Sequence, residues 1–283
     1  MRRAFALAAW LLASAPAVQA GPPAERVVSM NPSATRILLA LGARGALVGV
    51  DEFSARQEPA VASLPRVGGL YDPSLEAVVA LRPDLLVLVP SREQRDFQAR
   101  LEALHVPVLT LAQDPVRFVD VLGAIRTLGE RVGREAEARA RIDAIARARE
   151  AVRRATAGRE RPRAVFVLTR EPLFVVGRGS FLDEMIALAG ATNLGDAFDE
   201  AWPRTSLEWL VGAAPDVILD SDSSAQPAPA YWSRWPSIPA VARGRVVGVP
   251  AGEVTLPGPD LDRALVTLAR ALHGDALQID PAP

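Results

Sequence analysis

The residues with the plainest capacity for chemistry are carboxylates in a repeated string. Ser74-Leu75-Glu76, six further residues and Pro83-Asp84 recur as Ser206-Leu207-Glu208, six residues and Pro215-Asp216, each copy followed by an apolar run. Each serine can cap a short helix carrying Glu in its first turn, where negative charge suits the helix dipole, and Pro-Asp then turns the chain into a strand. Capping accounts for Ser and in part for Glu. The alternative is that a duplication sets Glu76 and Glu208 at equivalent places, so that they project from opposite ends of the molecule as docking points for a symmetric partner. A glycosidase would need both carboxylates in one cleft at short range, which duplication does not predict. No Gly-x-Ser-x-Gly elbow is present, and Gly177-Arg178-Gly179-Ser180 reads as the turn before a helix. His105 and His273 stand far apart and read as structural or solvated. The chain has no cysteine, and all 32 of its basic residues are arginine. Thiolate metal sites, P-loop nucleotide sites and lysine Schiff bases therefore drop out. The reading is a non-enzyme with no catalytic residues, no metal ligands and no resident cofactor.

The elements that must position these residues form two α/β sets. Strands are expected at residues 26–29, 46–50, 85–89 and 108–111, with a helix over 33–41 stopped by Gly42. A second set begins after the turn at 158–163, with strands at 164–168, 216–219 and 245–249. Gly179-Ser180-Phe181 leads into a helix over 182–189, as Asn31-Pro32-Ser33 leads into the helix ending at Gly42. Residues 115–157 carry no strand signal and are dense in Ala, Arg and Glu. Their second part, 134–157, puts Ala138, Ile142, Ile145 and Val152 on one stripe and would extend about 36 Å. It can link two lobes, or lie as a solvated surface helix on one. The expected fold is α/β, two Rossmann-like lobes with mostly parallel sheets joined by a single long backbone helix. The boundaries are 1–20 for a leader, 21–115 and 159–283 for the lobes, and 116–158 for the helical segment. The Ser-, Ala- and Pro-rich loop 221–229 reads as mobile.

The first twenty residues have the pattern of a secretory signal peptide: Arg2 and Arg3, an apolar stretch over 4–15, and Val18-Gln19-Ala20 before a mature start near Gly21. The apolar run is shorter than the ~20 residues a bilayer span needs. Without cysteine there is no thioether-linked lipid, so the expected location is the periplasm, as a freely soluble monomer with no transmembrane segment in its mature form. A net charge of −1 leaves no basic footprint for nucleic acid.

With these features assembled, the chain resembles the helical-backbone class of periplasmic binding proteins, which receive vitamin B12, haem or ferric siderophores for ABC importers. The likeness is carried by Arg26-Val27-Val28-Ser29-Met30-Asn31-Pro32-Ser33-Ala34-Thr35, Gly68-Gly69 with the first cassette, Val176-Gly177-Arg178-Gly179-Ser180-Phe181 with Ala189-Gly190, and the second cassette. It implies that Glu76 and Glu208 meet arginines on a permease dimer with its ATPase, and that a small-molecule metal chelate sits between the lobes. Within the family the likeness is strongest to the members that receive vitamin B12. Trp202-Pro203 resembles their cleft-facing Trp-Pro ahead of the second cassette, and Phe53 resembles the aromatic residue that touches the corrin from the first lobe. Phe53, Tyr71 and Trp202 could supply flat apolar walls, or be ordinary packing residues. Haem is the chief competitor. Its tyrosine ligand in the family falls at the position of Gly69 here, and Tyr71 is offset by two. A ferric siderophore would call for cleft arginines, for which Arg92, Arg170 or Arg178 could serve. The loop Pro257-Gly258-Pro259-Asp260 departs from the pattern by placing a carboxylate where many relatives have arginine. A periplasmic adaptor or chaperone on the same fold is the reading outside transport.

Overall fold

The computed structural model describes residues 22–70, 72–89, 95–274 and 276–279. The signal-peptide segment, Tyr71 and Arg92 lie outside them. The first lobe runs β1 (Val27–Ser29), α1 (Pro32–Ala40), β2 (Leu47–Val50), α2 (Glu52–Gln57), α3 (Leu75–Ala80), β3 (Leu85–Leu88), α4 (Arg95–Ala103) and β4 (Val108–Thr110). Its sheet is all parallel in the order β2-β1-β3-β4. Two helices follow, α5 (Phe118–Arg131) and α6 (Glu135–Thr156). The second lobe comprises β5 (Arg163–Thr169), β6 (Phe174–Val175), α7 (Phe181–Leu188), β7 (Thr192–Asn193), α8 (Leu207–Ala213), β8 (Val217–Asp220), α9 (Ala228–Trp232), α10 (Pro239–Ala242), β9 (Val246–Gly248), α11 (Ala251–Val254) and α12 (Leu261–His273). Here the parallel neighbours run β7-β5-β8-β9, the same order as in the first lobe, with β6 added antiparallel to β5. In both lobes the chain turns back after its second parallel strand, so the connections leaving the first and third strands diverge at the carboxyl end of the sheet, where ligands sit in open α/β sheets.

Each central strand is apolar on both faces, as a sheet covered by helices on two sides requires. Alternate residues feed different cores. Val27, Leu85 and Val87 join Ile37, Ile125, Ile145, Ala164, Phe166, Leu219 and Leu265 in one continuous cluster that spans both lobes and the linking helices. Val28, Leu86 and Leu88 pack outward with Val78, Phe97 and Leu101 in the first lobe. Val165, Val167 and Ile218 pack outward with Leu210 and Trp232 in the second.

The expected helical stretch is two helices, broken at Gly133, whose φ of 64° is costly for any residue with a Cβ. The second of them spans 22 residues, about 33 Å at the standard rise. It lies between α5 and α12, while α5 also packs on α1 and on α7. The stripe is as expected at Ala138, Ile145 and Val152, all buried, with Ile142 half-buried. Close approach is made possible by Gly129: a Cβ there would stand 2.5 Å from Ala138 Cβ and 2.9 Å from Arg134 O. Loop 221–229 is not the free segment its composition suggests, since Arg170 Nη1 donates to Ser224 Oγ (2.9 Å) and Gln226 O (2.7 Å).

Candidate functional site

The two cassettes fold alike in detail. Ser74 Oγ accepts from Ala77 N–H at 3.2 Å, and Ser206 Oγ from Trp209 N–H at 3.3 Å. Each short helix ends on a non-glycine residue in the left-handed region, Arg82 at φ 45° and Ala214 at φ 46°, where the following proline forbids another turn. Asp84 then accepts from the Glu25 and Arg26 N–H groups, both at 2.9 Å, and Asp216 from the Arg163 N–H at 3.0 Å. The same two arginines close the helix ends: Arg26 donates to Leu81 O (2.6 Å) and Arg82 O (3.1 Å), and Arg163 to Ala213 O (2.8 Å) and Ala214 O (3.4 Å). Ser, Pro and Asp therefore have structural work in both copies.

Glu76 takes no part in that work, and Glu208 only within its own first turn. Both are exposed, and among the described residues Glu76 forms neither a hydrogen bond nor an ion pair. The Ser206 hydroxyl holds the Glu208 carboxyl below the usual glutamate range, and its own backbone N–H adds to the effect. One turn further on, Val79 and Val211 are also exposed at matching positions. Each lobe thus presents a carboxylate beside an apolar side chain, on a helix held from below by an outward core.

At the carboxyl end of the first sheet, Phe53 occupies the first turn of α2 and is 42% exposed. A buried polar chain fixes that turn. Asp51 accepts from Ser54 N–H (2.9 Å) and Ser54 Oγ (2.5 Å); Ser54 Oγ lies 3.0 Å from Thr35 Oγ1, which lies 2.8 Å from Ser29 Oγ. All four side chains are buried. A carboxylate buried with no cation against it requires such donors.

Trp202 comes from the second lobe, on an arm that sequence reading missed. Residues 201–205 run beside 173–177 through Val175 N–H to Pro203 O (3.2 Å), Gly177 N–H to Ala201 O (2.9 Å) and Thr205 N–H to Leu173 O (2.9 Å). A Cβ at Gly177 would stand 2.0 Å from Glu200 O, so only glycine permits this approach. The half-buried indole packs on the shared core, and its Nε1–H donates to Asp114 Oδ2 at 2.6 Å. Asp114 belongs to the segment leaving β4, whereas Phe53 follows β2. The Phe53 helix and the anchor of Trp202 thus follow the two edge strands of the first sheet, which stand three inter-strand spacings or about 14 Å apart.

Two of the expected cleft cations are occupied elsewhere. Arg170 is buried, with Nε donating to Asp220 Oδ2 at 2.9 Å and its guanidinium 4.6 Å from the Tyr231 ring centroid. Arg178 is bound to Asp196 (2.8 Å) and Asp199 (2.9 Å). Asp260 pairs with Arg36 of the first lobe at 2.8 Å and with Arg263 at 2.6 Å. Arg36 also donates to Gly252 O at 2.6 Å, so the unusual carboxylate ties one lobe to the other. His273 Nε2 lies 3.0 Å from Ala189 O, and burial above all lowers its pKa. Among the described residues no helix is long and apolar enough to cross a membrane, and no group of three His, Asp or Glu side chains could hold a metal ion.

Two α/β lobes of matching strand order, joined through a long helix and one shared core, define a two-lobed binding protein. The chain belongs to the periplasmic binding protein family, whose model matches residues 27–252. It is 30% identical over 271 residues to a cobalamin-binding protein of Halobacterium salinarum, covering 89% of this chain and 70% of the relative. It is 26% identical over 253 residues to the vitamin B12-binding protein of Vibrio cholerae, covering 86% and 88%. Among solved structures, the periplasmic heme-binding protein RhuT of Roseiflexus sp. RS-1 matches with a TM-score of 0.73 and 28% identity, covering 90% of this chain and 99% of that one.

Proposed function

We propose that this protein is exported to the periplasm, captures cobalamin or a related corrinoid between its lobes, and delivers it to an ABC importer. It acts as a binding protein and not as an enzyme. The observation that carries the delivery role is the paired cassette: two helices of matching position, one per lobe, each exposing a glutamate that forms no ion pair among the described residues. Two such points suit a permease dimer whose subunits each offer a cation, and an exposed ion pair worth ~0–1 kcal/mol sets orientation and encounter rate more than affinity. Val79 and Val211 extend each contact with apolar area.

The ligand reading rests on the exposed Phe53, on the half-buried Trp202 and on the names of the relatives; Tyr71 and Arg92 are proposed as further contacts from their sequence positions alone. Flat aromatic walls suit a large planar chelate, and the occupied state of Arg170 and Arg178 removes two of the cations an anionic siderophore would use. Haem is the second reading, favoured by the likeness to a haem-binding structure.

Titrating the purified protein with cyanocobalamin, haemin and a ferric siderophore decides between them. Cobalamin is expected to quench tryptophan emission at an equimolar end point. No cobalamin effect together with a shifted haem Soret band would replace the corrinoid with haem.

A further inference from the structure

We propose that Asp114 is a positioning residue that sets the plane of the Trp202 indole, and that the affinity of the crevice for a planar ligand depends on this contact between lobes. The inference rests on Trp202 being a ligand wall. An indole has a single polar atom, a donor, and a ring lying half in solvent on a rigid arm can turn about its side-chain bonds unless that donor is held. Three backbone hydrogen bonds fix where the arm runs but not which edge of the ring faces the crevice. The 2.6 Å bond to Asp114 makes that choice. Among the described residues Asp114 has no other hydrogen-bond or ion-pair partner, so its carboxylate is committed to this one N–H.

The anchor is itself fixed. Two residues on, Val116 O accepts from Phe181 N–H at 2.7 Å, and Arg117 Nε donates to Glu184 Oε1 at 3.0 Å. Within residues 114–117 the segment leaving the first sheet is therefore bound three times to the second lobe. Trp202 is presented from one lobe and oriented by the other, with its Nε1 edge held, part of the ring packed on the shared core and the exposed remainder left for a ligand. Such preorganisation lowers the cost of ordering the wall on binding and appears mainly in the dissociation rate.

The test compares wild type, Asp114→Leu, Asp114→Asn, Trp202→Phe and the Asp114→Leu/Trp202→Phe double variant, each first checked for an unchanged thermal transition. Stopped-flow release of cyanocobalamin and of haemin gives dissociation rates. Asp114→Leu is expected to speed release about three- to tenfold, and Asp114→Asn, which keeps a carbonyl acceptor, to restore most of the loss. In the Trp202→Phe background Asp114→Leu should add nothing. The ligand-free emission of Trp202, taken as wild type minus Trp202→Phe, should move to longer wavelength in Asp114→Leu and hold in Asp114→Asn. Equal acceleration with and without Trp202, or no change in either readout, would overturn the assignment. If wild type binds neither chelate, the ligand reading fails and the emission comparison alone decides Asp114: a shift supports it, and an unmoved spectrum sinks it.

Discussion

At the residue scale the cassette separates by occupation. Ser74, Pro83 and Asp84, like Ser206, Pro215 and Asp216, shape the backbone, whereas the glutamates stay exposed, Glu208 bonded only within its own helix turn and Glu76 without a partner among the described residues. Glu76→Gln and Glu208→Gln should therefore leave chelate affinity within about twofold. Each should slow uptake through the cognate importer by up to about fivefold, and the pair by more, as exposed ion pairs allow. Uptake into vesicles carrying that importer measures this, and full transport by the double variant would discard the docking role. His273 gives a pH prediction. Its folded pKa is lowered, chiefly by burial, so the stability it contributes is complete above the unfolded value near 6.5 and is lost as pH falls through the folded value. Thermal midpoints should drop on acidification below about 6.5, and His273→Gln should flatten that slope. Trp202 could be singled out from the sequence because Trp-Pro ahead of the second cassette is a local pattern, whereas its bond to Asp114, 88 residues away, could not. The pairing of Arg170 and Arg178 could not be read from the sequence, because their acidic partners, Asp220 and Asp196, lie 50 and 18 residues away and only the fold brings them near.

At the element scale, periodicity found every parallel strand of four or more residues and the stripe of α6, since long repeats average out local noise. It missed β6 and β7, which have two residues each and no room to alternate. The Trp202 arm was illegible because it is held by backbone bonds, which leave no side-chain pattern beyond the glycine required at 177. What the sequence marks only as a breaker, Gly129, proves to be the seat on which α6 rests. Gly129→Val should overpack that seat and cost about 1–3 kcal/mol in denaturant unfolding, whereas Gly123→Ala, with no atom within 4 Å of its Cβ position, should stabilise slightly. Equal effects at the two glycines would contradict the packing described.

At the scale of the whole molecule, the lobes share one core, and further ties cross between them. Arg36 reaches Asp260 and Gly252, Asp114 reaches Trp202, and Arg141 of α6 donates to Pro259 O at 2.6 Å. Arg36→Ala should lower stability by about 1–2 kcal/mol and leave a single unfolding transition, because the continuous cluster makes the lobes cooperate. Two separated transitions by calorimetry would show that the lobes fold independently. Ligand addition should then move the lobes by only a few degrees, and a large contraction in small-angle scattering would count against so stiff a link. The shared cluster also constrains descent. A lobe that hides its inner face against helices it does not own cannot be traded between relatives as a cassette. Recombination between relatives should succeed only where the breakpoint carries α5, α6 and α12 together, and a chimaera that splits them should lose its cooperative thermal transition.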